Sequence, residues 1–404
     1  MTHMLDAFFR SLALLAAAIL VVAGCAEQPQ RVAPAAAACP ACVECPQCPA
    51  PARPVEARYQ QIPFASIPGW QDAMLAPGVR AFAAGCPRIT QSHPLRRACD
   101  SALALAPGDE GAARQFAEES FSAWAVVSAE GTAEGLITGY YEPVLAGSRT
   151  RSERFQQPIY GVPEDLVAVD LENLHPELKG LRLRGRLQGN RLVPYRTRAE
   201  IEGGGALPAP IIAWVEDPVE LFFLQIQGSG LIELASGGRL RLGYADQNGH
   251  PYRSMGRYLI QRGELPLEQT SMQGIKAWAA ANPRKLREAL DSNPSYVFFR
   301  EIPEGDGPIG TLGVPLTAAY SIAVDPRSVP LGAPVFLATT MPLSPQPLQR
   351  LVAAQDTGGA IRGAVRADFF WGTGPEAGAQ AGRMRQRGAL WLVWPRGEPL
   401  PAQQ

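Results

Sequence analysis

A strand-rich α+β fold built around a small closed barrel is what this sequence predicts, and three observations carry the prediction. The 404 residues include 40 glycines and 38 prolines, above average usage, which suits many short strands joined by turns. From about Asn293 onward the apolar residues fall in short runs bounded by Gly and Pro: YVFFRE, TLGVPL, YSIAVDP, APVFLA, LQRLVAAQD, AVRADFFW and ALWLVWP. Such runs suggest a closed barrel rather than a sandwich of long strands. Between Gln61 and about Trp124, in contrast, the stretches IPGWQDAMLAPGVRAFAAGC and ARQFAEESFSAWAV show three-to-four spacing, the mark of a helical segment. The length fits two domains, or one domain carrying an insertion, and a composition of 46% hydrophobic residues can fill a large core. A net charge of −1 provides no field to recruit nucleic acid, so no nucleic-acid partner is expected.

The chain begins MTHMLDAFFRSLALLAAAILVVAGC, a charged start with Arg10 followed by an apolar run from Leu12 to Ala23 that is too brief to span a bilayer. The run ends in Val22-Ala23-Gly24-Cys25, which resembles a bacterial lipobox; an ordinary secretory signal is the alternative. On the first reading, residues 1–24 are removed and Cys25 carries lipid. By resemblance to lipoprotein sorting rules, Ala26 in place of Asp favours the outer membrane; lipid chains would hold the globular part to that surface, in the periplasm.

Residues 25–60 are rich in Pro and Ala and predict an extended tether. Within it Cys39, Cys42, Cys45 and Cys48 recur every third residue, the period of a polyproline II helix. Disulfides within or between chains fit an oxidising compartment better than a metal site, although the C-x-x-C steps leave a metal open. A structural disulfide between Cys86 and Cys99 is expected.

GLITGYYEPVLAGS reads as a strand entering a loop, and RLRGRLQGNRLVPY as a hairpin around Gln188-Gly189-Asn190. ELFFLQIQGSGLIELASGGRLRLGY reads as three strands with glycine turns. A helical block follows: Met255 to Arg262, Ser271 to Ala281, and a third helix capped by Asn282 with Pro283 at its first position. Pro326 and Pro330 bracket a sharp turn further on.

The four histidines, His3, His93, His175 and His250, form no HExxH motif, and the sequence has neither a Walker-type loop nor a GxSxG elbow. No cofactor and no metal are expected for the chemistry. Carboxylates remain, and they point to general acid work on a polar, neutral substrate.

In DTGGAIRGAVRADFFWG, Asp356 and Asp368 stand twelve positions apart around a glycine-rich turn. Alternation puts Asp368 on one face with Arg366 and Phe370. A hairpin-like return around Gly363 could bring the acids together, where the charge of Asp356, with desolvation by the aromatics, would raise the pKa of Asp368. A carboxylic acid kept neutral is what glycosidic cleavage requires; the alternative is that Asp before Gly only forms a turn. Two further stretches suit hydroxyl recognition or, equally, turn and core structure. One is Gly139-Tyr140-Tyr141-Glu142-Pro143; the other is Gln225-Ile226-Gln227-Gly228-Ser229-Gly230.

Taken together, GYYEP, LFFLQIQGSG, RLGYADQNGHPYRSMGRYL, NPSYVFFRE, GVPLTAAYSIAVDPRSVPLGAPVFL and DTGGAIRGAVRADFFWGTGPEAGAQAG resemble the membrane-bound lytic murein transglycosylase A family, from about Phe64 to Pro395. The last segment also resembles a wider three-aspartate domain, here Asp325, Asp356 and Asp368; Tyr320 stands where that pattern has Arg.

The resemblance implies a double-psi β-barrel formed by residues 61–145 and 293–398. A second β-rich domain, 146–292, is inserted into it and leaves a groove for a glycan strand. The implied activity is cleavage of the β-1,4 bond between N-acetylmuramic acid and N-acetylglucosamine in peptidoglycan, with a 1,6-anhydro product. The family's catalytic aspartate maps onto Asp368, with Asp356 holding and tuning it. Tyr140, Tyr141, Glu142, Gln225, Gln227, Ser229 and Asp325 are the expected saccharide contacts, and Glu142 is the reserve candidate for the acid. Expected partners are peptidoglycan strands, a membrane reached through the N-terminal lipid, and cell-wall synthesis or scaffold proteins. A lysozyme-like hydrolase and a non-catalytic murein-binding lipoprotein are the alternatives.

Overall fold

The computed structural model describes residues 57–401, except 176, 177, 179, 180, 182, 304 and 306. The signal sequence, Cys25 and the tether cysteines Cys39, Cys42, Cys45 and Cys48 lie outside the described residues. The chain opens on β1 (Arg58–Ile62), so the last positions assigned to the tether are already strand. Three helices follow: α1 (Ala76–Gly85), α2 (Arg96–Leu103) and α3 (Glu110–Ser120). The Cys86–Cys99 disulfide forms as expected, with Cα atoms 5.4 Å apart, and fastens the end of α1 to α2.

The spacing predicts helix through SFSAWAV, but α3 ends at Ser120 and the chain is strand from Phe121. Here β2 (Phe121–Val127) has Phe121 and Ala123 buried at alternate positions, pairs with β1 over Ala123–Val127, and takes the last strand of the chain on its other edge over Phe121–Ala125. Pairing of both backbone edges outweighs the helical spacing of the side chains.

After β3 (Gly135–Glu142), five short strands follow: β4 (Val144–Ser148), β5 (Gln157–Tyr160), β6 (Val167–Val169), β7 (Leu183–Gln188) and β8 (Arg191–Pro194). The β7–β8 hairpin turns at Gly189, with φ 61°, where the sequence placed it. Next come α4 (Arg198–Glu202), β9 (Ile211–Val215), α5 (Pro218–Gln227), β10 (Ser229–Leu234) and β11 (Arg239–Gln247).

Helix α5 corrects the three-strand reading. Asp217 caps it by accepting from Val219 N at 2.7 Å, Pro218 sits at the first position, and Gly228 ends it with φ 77°. Leu221 and Leu224 pack on strands while Val219 and Phe222 pack on helices, so α5 is apolar nearly all round. A helix buried on every side loses the amphipathic period that would reveal it.

The helical block forms as read, with α6 (Met255–Gln261), α7 (Met272–Ala281) and α8 (Pro283–Asp291). Then come β12 (Val297–Ile302), β13 (Ser321–Val324), β14 (Pro334–Thr340), β15 (Pro347–Asp356), β16 (Arg366–Thr373), α9 (Pro375–Ala381) and β17 (Arg385–Pro395). TLGVPL is not a strand: it closes a tight loop through one bridge, Ile309 to Pro315, with Gly313 at φ 81°. Helix α9 went unread because PEAGAQA is short and almost without large apolar residues.

The strand-rich α+β class is borne out. Six strands close into a barrel in the order β17-β14-β15-β13-β16-β3, with β3 returning to β17 along Arg385–Gly388. Strands β2 and β1 extend the sheet from the other half of β17. Strands β12-β11-β10-β4-β9-β5 form a second sheet, and β6-β7-β8 a third. The barrel core includes Ile137, Ile322, Val324, Val352, Ala354, Ala367 and Phe369.

Helix α1 covers β15 closely: a Cβ at Gly78 would lie 2.2 Å from the Leu351 carbonyl oxygen. Gly78→Ala should therefore lower stability by about 1–3 kcal/mol through overpacking, read from the denaturant midpoint; an unchanged midpoint contradicts this packing.

Candidate active site

The two acids are not on neighbouring strands. Strand β13 runs between β15 and β16, parallel to one and antiparallel to the other. On it, Ala323 stands opposite Asp356 on one side and Asp368 on the other. Across the next ladder Asp368 faces Thr138 of β3. Asp356, Ala323, Asp368 and Thr138 therefore form one row across the sheet, with side chains on a common face. Two strand spacings put the Asp Cα atoms about 10 Å apart. In the row itself, Ala323 is the one residue between them.

A register slip makes this row. Ile322 faces Ala354, but the next residue, Ala323, faces Asp356 rather than Gln355. Val352 and Ala354 point into the core, so strict alternation would send Asp356 there as well. Gln355 absorbs the slip. Fully buried, it accepts from Ser321 Oγ at 2.5 Å and donates Nε2 to the Ala81 carbonyl at 2.7 Å.

The acids differ in solvation. Asp356 Oδ1 accepts from Thr311 N at 2.9 Å, Thr311 Oγ1 at 2.8 Å and Thr357 N at 2.9 Å, while Oδ2 accepts from Tyr140 OH at 3.2 Å. Asp368 Oδ1 accepts one hydrogen bond, from Thr138 Oγ1 at 2.6 Å, and no described residue donates to its Oδ2. Because Arg366 Nη2 donates to Thr138 Oγ1 at 2.8 Å, the hydroxyl proton must point at Asp368.

Burial pushes both carboxyls above their ordinary pKa. In Asp356 four donors oppose the rise; in Asp368 Thr138 and the Arg366 charge oppose it, and the charge of Asp356 adds a smaller upward push. Asp368 is the better-placed of the two to keep a proton, and desolvation rather than its neighbour is the main reason. Tyr140, its ring 5.2 Å from that of Phe370, is held well above its ordinary pKa by burial and then by the two acids, so it remains a donor.

The other expected contacts are placed differently. Tyr141 is 8% exposed, packs against Gly378 and turns its hydroxyl to Met272 Sδ. Glu142 is fully buried, accepts from Thr373 Oγ1 at 2.7 Å and faces Arg241. Gln225 is 4% exposed and takes Arg198 Nη2 at 2.5 Å, because helix α5 turns it inward. Asp325 is 1% exposed; it holds Arg327 and the Gly363 N–H, pinning the loop between the acids from beneath. Burial raises its pKa, but Arg327 and Gly363 outweigh that and hold it below the ordinary value. None of these four side chains is open to a saccharide. Gln227 is half-buried and accepts from Tyr141 N at 3.3 Å; Ser229 is half-buried at the start of β10. Thr138 and Thr311 were not read from the sequence, although Thr138 lies two positions before Tyr140 on the same strand face.

Family models match residues 136–300 as the MltA specific insert domain and 320–394 as the 3D domain. The membrane-bound lytic murein transglycosylase A of Escherichia coli K12 is 36% identical over 298 residues, covering 71% of this chain and 72% of that protein. A crystal structure of MltA from Neisseria gonorrhoeae superposes with a TM-score of 0.76 at 43% identity, covering 85% of this chain and 94% of that one. E. coli MltA with bound chitohexaose superposes with a TM-score of 0.64 at 29% identity over 84% of this chain and 94% of its own. Fold and relatives together define a peptidoglycan lytic transglycosylase. Within that class, the chain belongs to the membrane-bound lytic murein transglycosylase A family.

Thr138→Val removes a hydrogen bond that favours the charged form of Asp368, so its carboxyl should titrate higher, by about one pH unit. Carbon-13 NMR of labelled aspartate would show the shift; a fall, or no movement, contradicts the assigned geometry.

Proposed function

We propose that Asp368 is the single acid and base of the reaction, with Asp356 as its ionised partner, and that the product is a 1,6-anhydromuropeptide. The observation that carries this reading is the row across the sheet. One end holds a carboxylate met by four donors, and the centre holds a carboxyl with one donor and one free oxygen.

Protonated Asp368 gives its proton to the glycosidic oxygen as the bond to C1 of N-acetylmuramic acid breaks, the electron pair leaving with that oxygen. The sugar's own C6 hydroxyl then bonds to C1, and its proton returns to the Asp368 carboxylate. No water enters, and the enzyme is restored. Ordinary glycosidases need a second carboxylate to attack or to activate water. Intramolecular delivery of the C6 hydroxyl supplies much of that advantage instead.

Tyr140, Gln227 and Ser229 are the saccharide contacts in this reading. The second sheet, which runs from β4 to β12 and so takes in residues 144–302 rather than 146–292, forms the second wall of a glycan groove, and the chitohexaose bound by the E. coli relative supports a glycan as the ligand here. Cys25 carries lipid and residues 25–57, up to the start of β1, tether the enzyme at the outer membrane, facing the periplasm, in keeping with the relatives' description as membrane-bound. Cell-wall synthesis or scaffold proteins are the partners proposed at that surface.

Mass spectrometry of a murein digest tests the reaction: anhydro ends are expected, reducing ends indicate a hydrolase, and an empty digest indicates a binding protein. Asp368→Asn should cut release by at least about a hundredfold while murein binding persists; substantial turnover would move the acid elsewhere. Asp356→Asn removes a charge that raises the pKa of Asp368. The acid form is then lost at lower pH, and the alkaline limb of kcat/KM should shift downward; a fixed limb refutes the tuning role.

A further inference from the structure

Glu142 and Arg241 form a buried ion pair between two sheets. Glu142 ends β3 of the barrel, and Arg241 belongs to β11 of the second sheet. Glu142 is fully buried and Arg241 is 8% exposed, with Nη2 3.5 Å from Glu142 Oε2. The pair is poorly satisfied: Glu142 Oε1 and Arg241 Nε and Nη1 are buried without a hydrogen-bond partner. Such a pair is a weak source of stability, since apolar residues of similar size would hold the sheets about as well. What charges add is direction, because only one alignment of the strands brings them together.

The alignment matters at this place. The β3–β16 ladder is regular through Tyr140 and Phe370, then slips, and re-forms only where Glu142 meets Thr373. At that point Thr373 Oγ1 donates to Glu142 Oε2 and Gly374 N donates to the Glu142 carbonyl at 2.9 Å. Glu142 is thus the anchor of the strand immediately past the residues that hold the two acids. Tyr140, which hydrogen-bonds Asp356, lies two residues before it, and Thr138, which hydrogen-bonds Asp368, lies four before it. The neighbouring links run the same way: Gln227 of α5 takes the Tyr141 N–H, and the Tyr141 hydroxyl meets Met272 of α7.

We propose that Glu142 and Arg241 are positioning residues, a clamp that fixes the end of β3 to the second sheet and so sets Tyr140 and Thr138 against the acid pair. This rests on the assignment of Asp368 and Asp356. It replaces the saccharide or acid role expected of Glu142.

The test is the double variant Glu142→Met/Arg241→Met in the full-length protein. It should melt near the parent temperature, lose about ten- to a hundredfold in kcat with KM little changed, and shift a limb of the pH–rate profile. A purely structural pair would alter the melting temperature and leave the profile of the folded fraction in place. A folded double variant with parental kcat and an unmoved profile overturns the clamp. If the double variant does not fold, Thr373→Val removes only the hydroxyl on Glu142; it should shift the profile in the same direction, and an unmoved profile again overturns the clamp. Asp368→Asn in the same assay separates the two readings. If it stays active, the acid assignment has failed; if it is inactive while the clamp variants behave as parent, only the clamp has.

Discussion

Everything in the site depends on a one-residue slip between β13 and β15. Without it, Asp356 would follow Val352 and Ala354 into the barrel core. The slip is tolerated because Gln355, the displaced residue, finds Ser321 and the Ala81 carbonyl to satisfy its amide inside the protein. A buried amide with both ends paired costs little, whereas an unpaired one would be expensive. Helix α1, packed on β15 through Gly78, brings that carbonyl within reach. The glycine contact, the paired amide and the position of the acid are successive consequences of one packing arrangement.

The row also explains how two aspartates so alike in sequence become unlike in chemistry. Both are withdrawn from water, which raises both pKa values. The difference lies in the donors. The loop carrying Thr311 and the turn at Thr357 turn backbone N–H groups and a hydroxyl onto Asp356, while Asp368, in mid-strand, spends its backbone on ladders and keeps a free carboxyl oxygen. Strand interiors are where a carboxyl can be desolvated without being surrounded by backbone donors.

Much of this was legible in the sequence. Alternation placed Arg366, Asp368 and Phe370 on one face, and the turn-rich second half announced a small closed barrel. The failures have physical causes. The sequence suggests a hairpin between the acids because the strand that separates them, β13, comes from a segment more than thirty residues earlier in the chain; long-range pairing leaves no local trace. Gln225 was read as a strand residue facing a groove because FFLQIQ favours β structure, although Asp217-Pro218 ahead of it and Gly228 behind it were helix start and stop signals. Glu142 looked available because an acid after two tyrosines suggests a binding edge; Arg241, its partner, lies about a hundred residues away. Thr138 was overlooked because a threonine in a strand has no pattern of its own.

The central claim is that a proton resides on Asp368 while Asp356 stays charged. Neutron diffraction from deuterated crystals at mildly acidic pH would locate it directly. The account predicts a deuteron on a carboxyl oxygen of Asp368 and none on Asp356; a bare Asp368, or the deuteron on Asp356 instead, would contradict it.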